Sequence, residues 1–304
     1  MKKIFSLSLI FVYVLLIPVF FSGCSCSKEE NGLVIGDHYN YVSYQNLSYG
    51  DGDRQKMNLH IPKEKTGEVG LMLFIHGGAW VAGDKSAYDS TLVDWCSGRG
   101  YVACAINYRY ANVSTYVGDI MNDITAAMIK IKKVASQYGI DVTKALLSGG
   151  SAGGHLSLMY AYQMIDIAPI KPVAVVSLSG PTNLADANFL EEKSNRDDIL
   201  EVISCISGYE VTMENYTDAL PYLRQASPLT YVSEKSVPTV MCHGVNDDIV
   251  PYSNAQALKS RLDSFGVKNT LVTYPNSGHG LESDPAMATI ANDLMIEYAN
   301  TYLN

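Results

Sequence analysis

Leu146-Leu147-Ser148-Gly149-Gly150-Ser151-Ala152-Gly153-Gly154-His155 reads as a buried strand that runs into a G-x-S-x-G and opens a helix. A serine in that context sits on a strained strand-to-helix turn, and the flanking glycines let strand and helix approach closely. Gly149 and Gly153 are those glycines, and Ser151 is the candidate nucleophile. Outward from this turn the chain alternates strand-like and helix-like segments, which is the α/β signature. Residues 41–49 and 56–61 read as an opening antiparallel hairpin joined through Gly50-Asp51-Gly52-Asp53. Residues 69–75 form a continuous apolar run, as expected of a strand covered on both faces. Residues 101–106, 144–147, 173–178, 239–242 and 270–273 repeat that character. Amphipathic stretches at 88–97, 119–138, 152–165, 253–265 and 284–303 fall between them. Helices between parallel strands require right-handed crossovers, so the predicted architecture is a mostly parallel central sheet with helices on both faces. Residues 181–230 break the alternation. Asp186, Glu191, Glu192, Lys193, Asp197 and Asp198 make this stretch polar, and it is predicted to be a small helical cap insertion over one end of the sheet. Ligands bind at the carboxyl ends of the strands in such sheets, so a cap there shapes a pocket.

A serine hydroxyl is a weak nucleophile until a base removes its proton, and the base must be held in one tautomer by a carboxylate. Six histidines compete for the role: His38 and His60 in the opening hairpin, His76 and His243 at strand ends, His155 just after Ser151, and His279 in the loop after the last strand. With a nucleophile elbow the chain order is Ser, acid, His, which selects His279 in Asn276-Ser277-Gly278-His279-Gly280 and leaves His155 as a structural hydrogen-bonder. The acid belongs on the loop after residues 239–242, where Asp247 and Asp248 are adjacent and spacing alone does not choose between them. His76-Gly77-Gly78-Ala79-Trp80 follows the strand ending at Ile75. Backbone N–H groups there, with that of Ala152, are placed to stabilise an oxyanion, each donor being worth about 3 kcal/mol in other acyl-transfer sites.

These motifs, in this order, resemble those of α/β-hydrolases, and more narrowly the esterase branch of bifunctional feruloyl and acetyl-xylan esterases, near the hormone-sensitive-lipase-like and kynurenine formamidase-like enzymes. The matching stretches are Tyr49-Gly50-Asp51-Gly52 with Gln55 to Leu59, His76 to Trp80 with Gly83-Asp84-Lys85, and Asn107-Tyr108-Arg109-Tyr110. They continue with Gly149 to His155, Ala226-Ser227-Pro228-Leu229, His243 to Pro251 and Ser277-Gly278-His279. The resemblance implies the α/β-hydrolase fold and, through an H-G-x-x-D-x-x-V-P pattern, Asp247 rather than Asp248 as the triad acid. It implies Gly78, Ala79 and Ala152 as oxyanion donors, with Gly77 a further one, and places Trp80 by the acyl pocket. Ala79 stands where lipase-like relatives have a third glycine, and Gly150 where many have Asp. That second difference leans toward the xylan-esterase side. No metal and no organic cofactor is implied.

The amino terminus reads as an address. Lys2-Lys3 precede an uncharged run from Ile4 to Ser22, the pattern of a secretory signal, with an uncleaved membrane anchor as the rival reading. Phe21-Ser22-Gly23-Cys24 resembles the bacterial lipobox, with Phe21 where Leu is usual, so Cys24 is the expected lipidation site. The expected division is a lipoprotein-type signal peptide over 1–23, a tether over 24–38 and a catalytic domain over 39–304. The corresponding location is the bacterial cell envelope, exported and lipid-anchored, on the periplasmic or extracellular face of a membrane. Cys26 falls in the tether, and Cys96, Cys104, Cys205 and Cys242 read as buried small hydrophobes. Twenty-two Lys and Arg against 31 Asp and Glu leave a net charge of −9, which disfavours nucleic acid as a partner. With 47% hydrophobic and 17% charged residues, the chain is a globular protein and neither a disordered tail nor a coiled coil.

The expected activity is hydrolysis of carboxylic esters by Ser151, His279 and Asp247, with acetyl or feruloyl groups on plant polysaccharide as the favoured substrate. A general small-ester carboxylesterase or lipase is the second reading. A serine exopeptidase or amidase is the third, with Glu191 and Glu192 as candidates to hold a peptide amino terminus. A catalytically silent surface-binding protein is the non-enzyme alternative.

Overall fold

A computed structural model of the chain describes residues 33–34, 39–190 and 195–304. The signal-like segment, Cys24, Cys26, His38 and the acidic pair Glu191 and Glu192 lie outside the described residues. The strands in chain order are β1 (Leu33–Val34), β2 (Tyr41–Ser48), β3 (Lys56–Pro62), β4 (Gly67–Glu68), β5 (Leu71–Ile75), β6 (Val102–Ile106), β7 (Ile140–Asp141), β8 (Lys144–Gly150), β9 (Lys171–Leu178), β10 (Thr239–Gly244) and β11 (Asn269–Tyr274). The helices are α1 (Asp89–Val93), α2 (Val117–Ser136), α3 (Ala152–Gln163), α4 (Arg196–Ser207), α5 (Tyr216–Gln225), α6 (Ser253–Ser264) and α7 (Pro285–Tyr302).

Nine of the described strands form one sheet in the order β1-β2-β3-β6-β5-β8-β9-β10-β11. The pairs from β1 to β6 are antiparallel, and those from β6 through β11 are parallel. β4 and β7 pair separately as a two-stranded parallel sheet. The hairpin and the mostly parallel sheet are as expected from sequence. β1 adds an edge partner that apolar patterning did not reveal, because only two residues pair, with Tyr44 and Ser43 of β2.

Strand β5 shows what organises the layers. All five of its residues are buried, yet they divide by the period of two. Leu71, Leu73 and Ile75 pack into the cluster that holds Ile124 and Met128 of α2 and Leu156 and Tyr160 of α3. Met72 and Phe74 join the opposite cluster with Leu92, Trp95 and Tyr298. Each such side chain contributes about 1.5–3 kcal/mol of burial, which is why the strand is apolar on both sides. The strand starts at Leu71 rather than Val69 because Val69 continues the pairing of β4 with β7. The Val69 N–H is given to Asp141 O, and Gly70 passes close against Leu303 at the end of the chain.

Helix α2 presents Ile120, Ile124, Ile131 and Ala135 to the core at helical spacing. The expected helix over 88–97 is interrupted. A 3₁₀ turn at Lys85–Tyr88 leads into the short α1, which widens into a π turn at Asp94–Gly98 that buries Trp95 and Cys96 together. Of the four cysteines after the tether, Cys96, Cys104 and Cys242 are buried and free, whereas Cys205 on α4 is only partly buried, so the expectation fails for that one.

The stretch at 181–230 is a helical insertion built on α4 and α5, leaving after β9 and closing on itself at its base. Leu229 N–H donates to Thr182 O, and Leu184 N–H donates to Ser227 Oγ, which in turn donates to Leu223 O. Gly208 at the end of α4 lies against the ring of Tyr116, in the loop beyond the carboxyl end of β6.

Candidate active site

The sequence-selected residues meet at the carboxyl ends of β8, β10 and β11. Ser151 lies between β8 and α3 with φ 53° and ψ −123°, a strained backbone for a residue with a side chain. Its N–H is fixed on Leu178 O at 2.7 Å and its carbonyl accepts from His155 N–H. The flanking glycines are required by contact. A Cβ on Gly153 would run into the Ile75 carbonyl, and one on Gly149 would meet both that carbonyl and the backbone of Gly153.

His279 stands in the loop after β11, 2.9 Å from Ser151 Oγ through Nε2 and 2.8 Å from Asp247 Oδ2 through Nδ1. A carboxylate only accepts, so Nδ1 carries the proton and Nε2 accepts from the Ser151 hydroxyl. Asp247 follows β10 with its side chain fully buried. Its Oδ1 accepts from the N–H groups of Ile249 (3.0 Å) and Val250 (2.8 Å). Burial pushes this carboxyl upward, but hydrogen bonds from His243 and His279 outweigh it and hold the group well below the usual carboxylate range. The neighbouring Asp248 is exposed.

Two supports were not singled out from sequence. His243, the last residue but one of β10, places Nε2 3.2 Å from Asp247 Oδ2 and 3.0 Å from Val250 O, so one N–H serves both acceptors. Its signal was the four-residue spacing of His243 and Asp247 in the acid loop. Asp284 accepts from Ser277 Oγ (2.6 Å) and from the backbone and side chain of Asn276 (3.0 and 2.8 Å), bracing the loop that carries His279. It was hidden because it reads as an ordinary helix-capping acid before α7.

The loop His76 to Trp80 runs alongside the serine. A Cβ placed on Gly77 would lie 3.4 Å from Ser151 Cβ. Gly78, Ala79 and Trp80 have φ of 108°, 49° and 62°. Ala79 therefore adopts the left-handed conformation that a third glycine would take without strain. Ala152 opens α3 and is buried beside the serine. Trp80 is 3% exposed, and its indole N–H donates to His155 Nδ1 at 3.1 Å. His155 Nε2–H donates in turn to Ala226 O at 2.7 Å. His155 is thus a fully paired structural group, and it ties the elbow helix to the exit of the insertion. Burial lowers its pKa to about 4 and keeps it neutral.

The geometry is that of a hydroxyl, an imidazole and a carboxylate in hydrogen-bonded sequence beside backbone donors, an arrangement able to generate a nucleophile and stabilise an oxyanion. Comparison with known proteins agrees in fold. A solved structure described as a truncated form of carbohydrate esterase from gut microbiota superposes with a TM-score of 0.67 at 21% identity, covering 89% of this chain and 99% of that one. Esterase LipC of Mycobacterium tuberculosis is 26% identical over 259 residues, 81% of this chain and 61% of that protein. A probable isoprenylcysteine alpha-carbonyl methylesterase, ICMEL1 of Arabidopsis thaliana, is 24% identical over 270 residues, 84% of this chain and 56% of that protein. The chain thus spans about three fifths of the length of these curated relatives. The BD-FAE family model matches residues 57–262, which hold Ser151, Asp247 and the loop after β5 and stop short of His279. With about two thirds of its length matched, and the sheet and elbow of an α/β-hydrolase around the match, the chain belongs to the BD-FAE family.

Proposed function

We propose that the chain is a carboxylic ester hydrolase working through a Ser151–His279–Asp247 triad. The observation that carries the reading is the unbroken run from Ser151 Oγ to His279 Nε2 (2.9 Å) and from His279 Nδ1 to Asp247 (2.8 Å) at a strained elbow. In the first half-reaction His279 takes the Ser151 proton as Oγ attacks the ester carbonyl. The oxyanion is held by the N–H groups of Gly78, Ala79 and Ala152, and collapse expels the alcohol, protonated by His279, to leave an acyl-enzyme. In the second, His279 deprotonates water, which attacks the acyl carbon, and the acid leaves as Ser151 recovers its proton. Asp247 orients the imidazole and stabilises its cation without itself taking the proton.

Acetyl or feruloyl groups on plant polysaccharide are the proposed substrates, supported by membership of the BD-FAE family and by likeness to a structure described as a carbohydrate esterase. The names of the curated relatives favour a second reading, a general small-ester carboxylesterase. The proposed location is the bacterial envelope, the chain being held to a membrane through Cys24; its support is the charge and apolar pattern of residues 1–24.

The test is acetate release from acetylated xylo-oligosaccharides, with p-nitrophenyl acetate turnover and a Ser151→Ala variant beside it. Serine-dependent release from the oligosaccharide is the expected result. Serine-dependent turnover of the synthetic ester alone selects the small-ester reading, and turnover that survives Ser151→Ala overturns the triad.

A further inference from the structure

The loop proposed to hold the oxyanion is oriented from behind. A trans peptide points its C=O and N–H in opposite directions, so fixing the carbonyl of one residue aims the N–H of the next. Three consecutive carbonyls in this loop are fixed. The His76 carbonyl accepts from Tyr108 Oη at 3.1 Å, which sets the Gly77 N–H. The Gly77 carbonyl accepts from His76 Nδ1 at 2.7 Å, which sets the Gly78 N–H. The Gly78 carbonyl accepts from the N–H groups of Val81 (3.0 Å) and Ala82 (2.9 Å), which sets the Ala79 N–H.

The middle contact exists only in one histidine tautomer. His76 can donate from Nδ1 in its neutral form only if Nε2 is bare, and Nε2 lies 3.0 Å from Arg54 Nη2. A guanidinium has donors and no acceptor, so Arg54 forces Nε2 to accept and moves the ring proton to Nδ1. Arg54 is itself held in place. It donates to Gly83 O at 3.0 Å and to Tyr108 O at 3.2 Å, stacks 3.9 Å over the Tyr110 ring and lies 3.7 Å from Asp84. His76 is 2% exposed and stacks on Tyr108 at 4.4 Å, so no bulk water competes for Nε2.

We infer that Arg54, from the loop between β2 and β3, is a positioning residue for ester hydrolysis: by fixing the tautomer of His76 it orients the Gly77–Gly78 peptide whose N–H receives the oxyanion. This rests on the triad reading above. It also gives Arg54 a role that none of the catalytic motifs includes, since it lies far from Ser151 in sequence and touches neither the serine nor its base.

The test is steady-state hydrolysis of p-nitrophenyl acetate by wild type, Arg54→Met, Arg54→Lys and Ser151→Ala, with thermal melting of each. Arg54→Met is expected to lose about tenfold or more in kcat, short of the 10²–10³ for deleting an oxyanion donor, with KM changed less than about threefold. Arg54→Lys, which keeps a donor to Nε2, is expected to recover part of that loss. A readout specific to the tautomer is the pair of ring-nitrogen NMR signals of His76: Nδ1 protonated and Nε2 bare in wild type, a pattern expected to be lost in Arg54→Met and kept in Arg54→Lys. A folded Arg54→Met with wild-type kcat, a loss confined to KM, or an unchanged His76 ring pattern overturns the inference. Where Arg54→Met melts too low to assay, the ring-nitrogen NMR of folded wild type decides it: a proton on Nδ1 with Nε2 accepting supports the role, and a proton on Nε2 overturns it. Turnover surviving in Ser151→Ala identifies failure of the triad reading instead.

Discussion

At the scale of single residues, the site is a set of hydrogen bonds with little redundancy, and His243 is the most instructive of them. One N–H bridges the buried Asp247 carboxylate and the Val250 carbonyl, so removing it loosens the acid and the acid loop together. His243→Leu is expected to lower kcat about tenfold and stability by about 2 kcal/mol, the scale of a hydrogen bond to a charged group. His243→Gln, whose amide can reach the position of Nε2, is expected to lose less in both. Steady-state kinetics with urea unfolding checks the pair, and equal losses for Leu and Gln would show that ring volume, not the donor, is what matters.

At the scale of elements, what positions Ser151 is the crossing of β5, β8 and α3. Gly153 sits where any side chain meets the Ile75 carbonyl, and backbone cannot retreat there without moving β5 away from β8. Gly153→Ala is therefore expected to cost more than about 3 kcal/mol, at the upper end for overpacking, and to leave little soluble protein. Solubility and thermal melting measure it. The loop between β11 and α7 depends on a different device, the Asp284 carboxylate that gathers Asn276 and Ser277. Asp284→Ala is expected to lower kcat several-fold through a displaced His279, with a modest loss of melting temperature. Wild-type kcat in that variant would remove Asp284 from the positioning of His279.

At the scale of the whole molecule, three buried histidines give the fold a pH dependence. Burial lowers the pKa of His60, His76 and His155 to about 4, against 6.5 for the free side chain. Each therefore stays neutral in the folded chain while its unfolded counterpart binds a proton below about pH 6.5. Stability is full above that pH and declines as pH falls through the window from 6.5 to about 4, by on the order of 3 kcal/mol for each group. His60 is the cleanest probe, because it stacks on Tyr41 and neither ring nitrogen has a hydrogen-bond partner among the described residues. His60→Phe is expected to melt higher than wild type at pH 5 and to differ less at pH 8. A difference independent of pH would show that packing, not protonation, accounts for it.

The parallel strands, the hairpin, the elbow and the order of Ser151, acid and His279 were legible in the chain because each is written locally, in apolar runs, glycine spacing and loop position. Spacing left Asp247 and Asp248 equal, and a family pattern preferred Asp247. Only the tertiary structure brings Asp247 to His279 and turns Asp248 to solvent, because the direction of a loop carboxylate depends on which backbone N–H groups and side chains enclose it. The π turn around Trp95, the bracing by His243 and Asp284, and the Arg54–His76 contact were likewise invisible. Each joins groups through space whose types carry no mark of partnership, and a hydrogen bond exists only where the fold sets its two atoms within about 3 Å of one another. Sequence alone thus determined what kind of site this chain can build, and the packing of the sheet and its loops decided which atoms compose it.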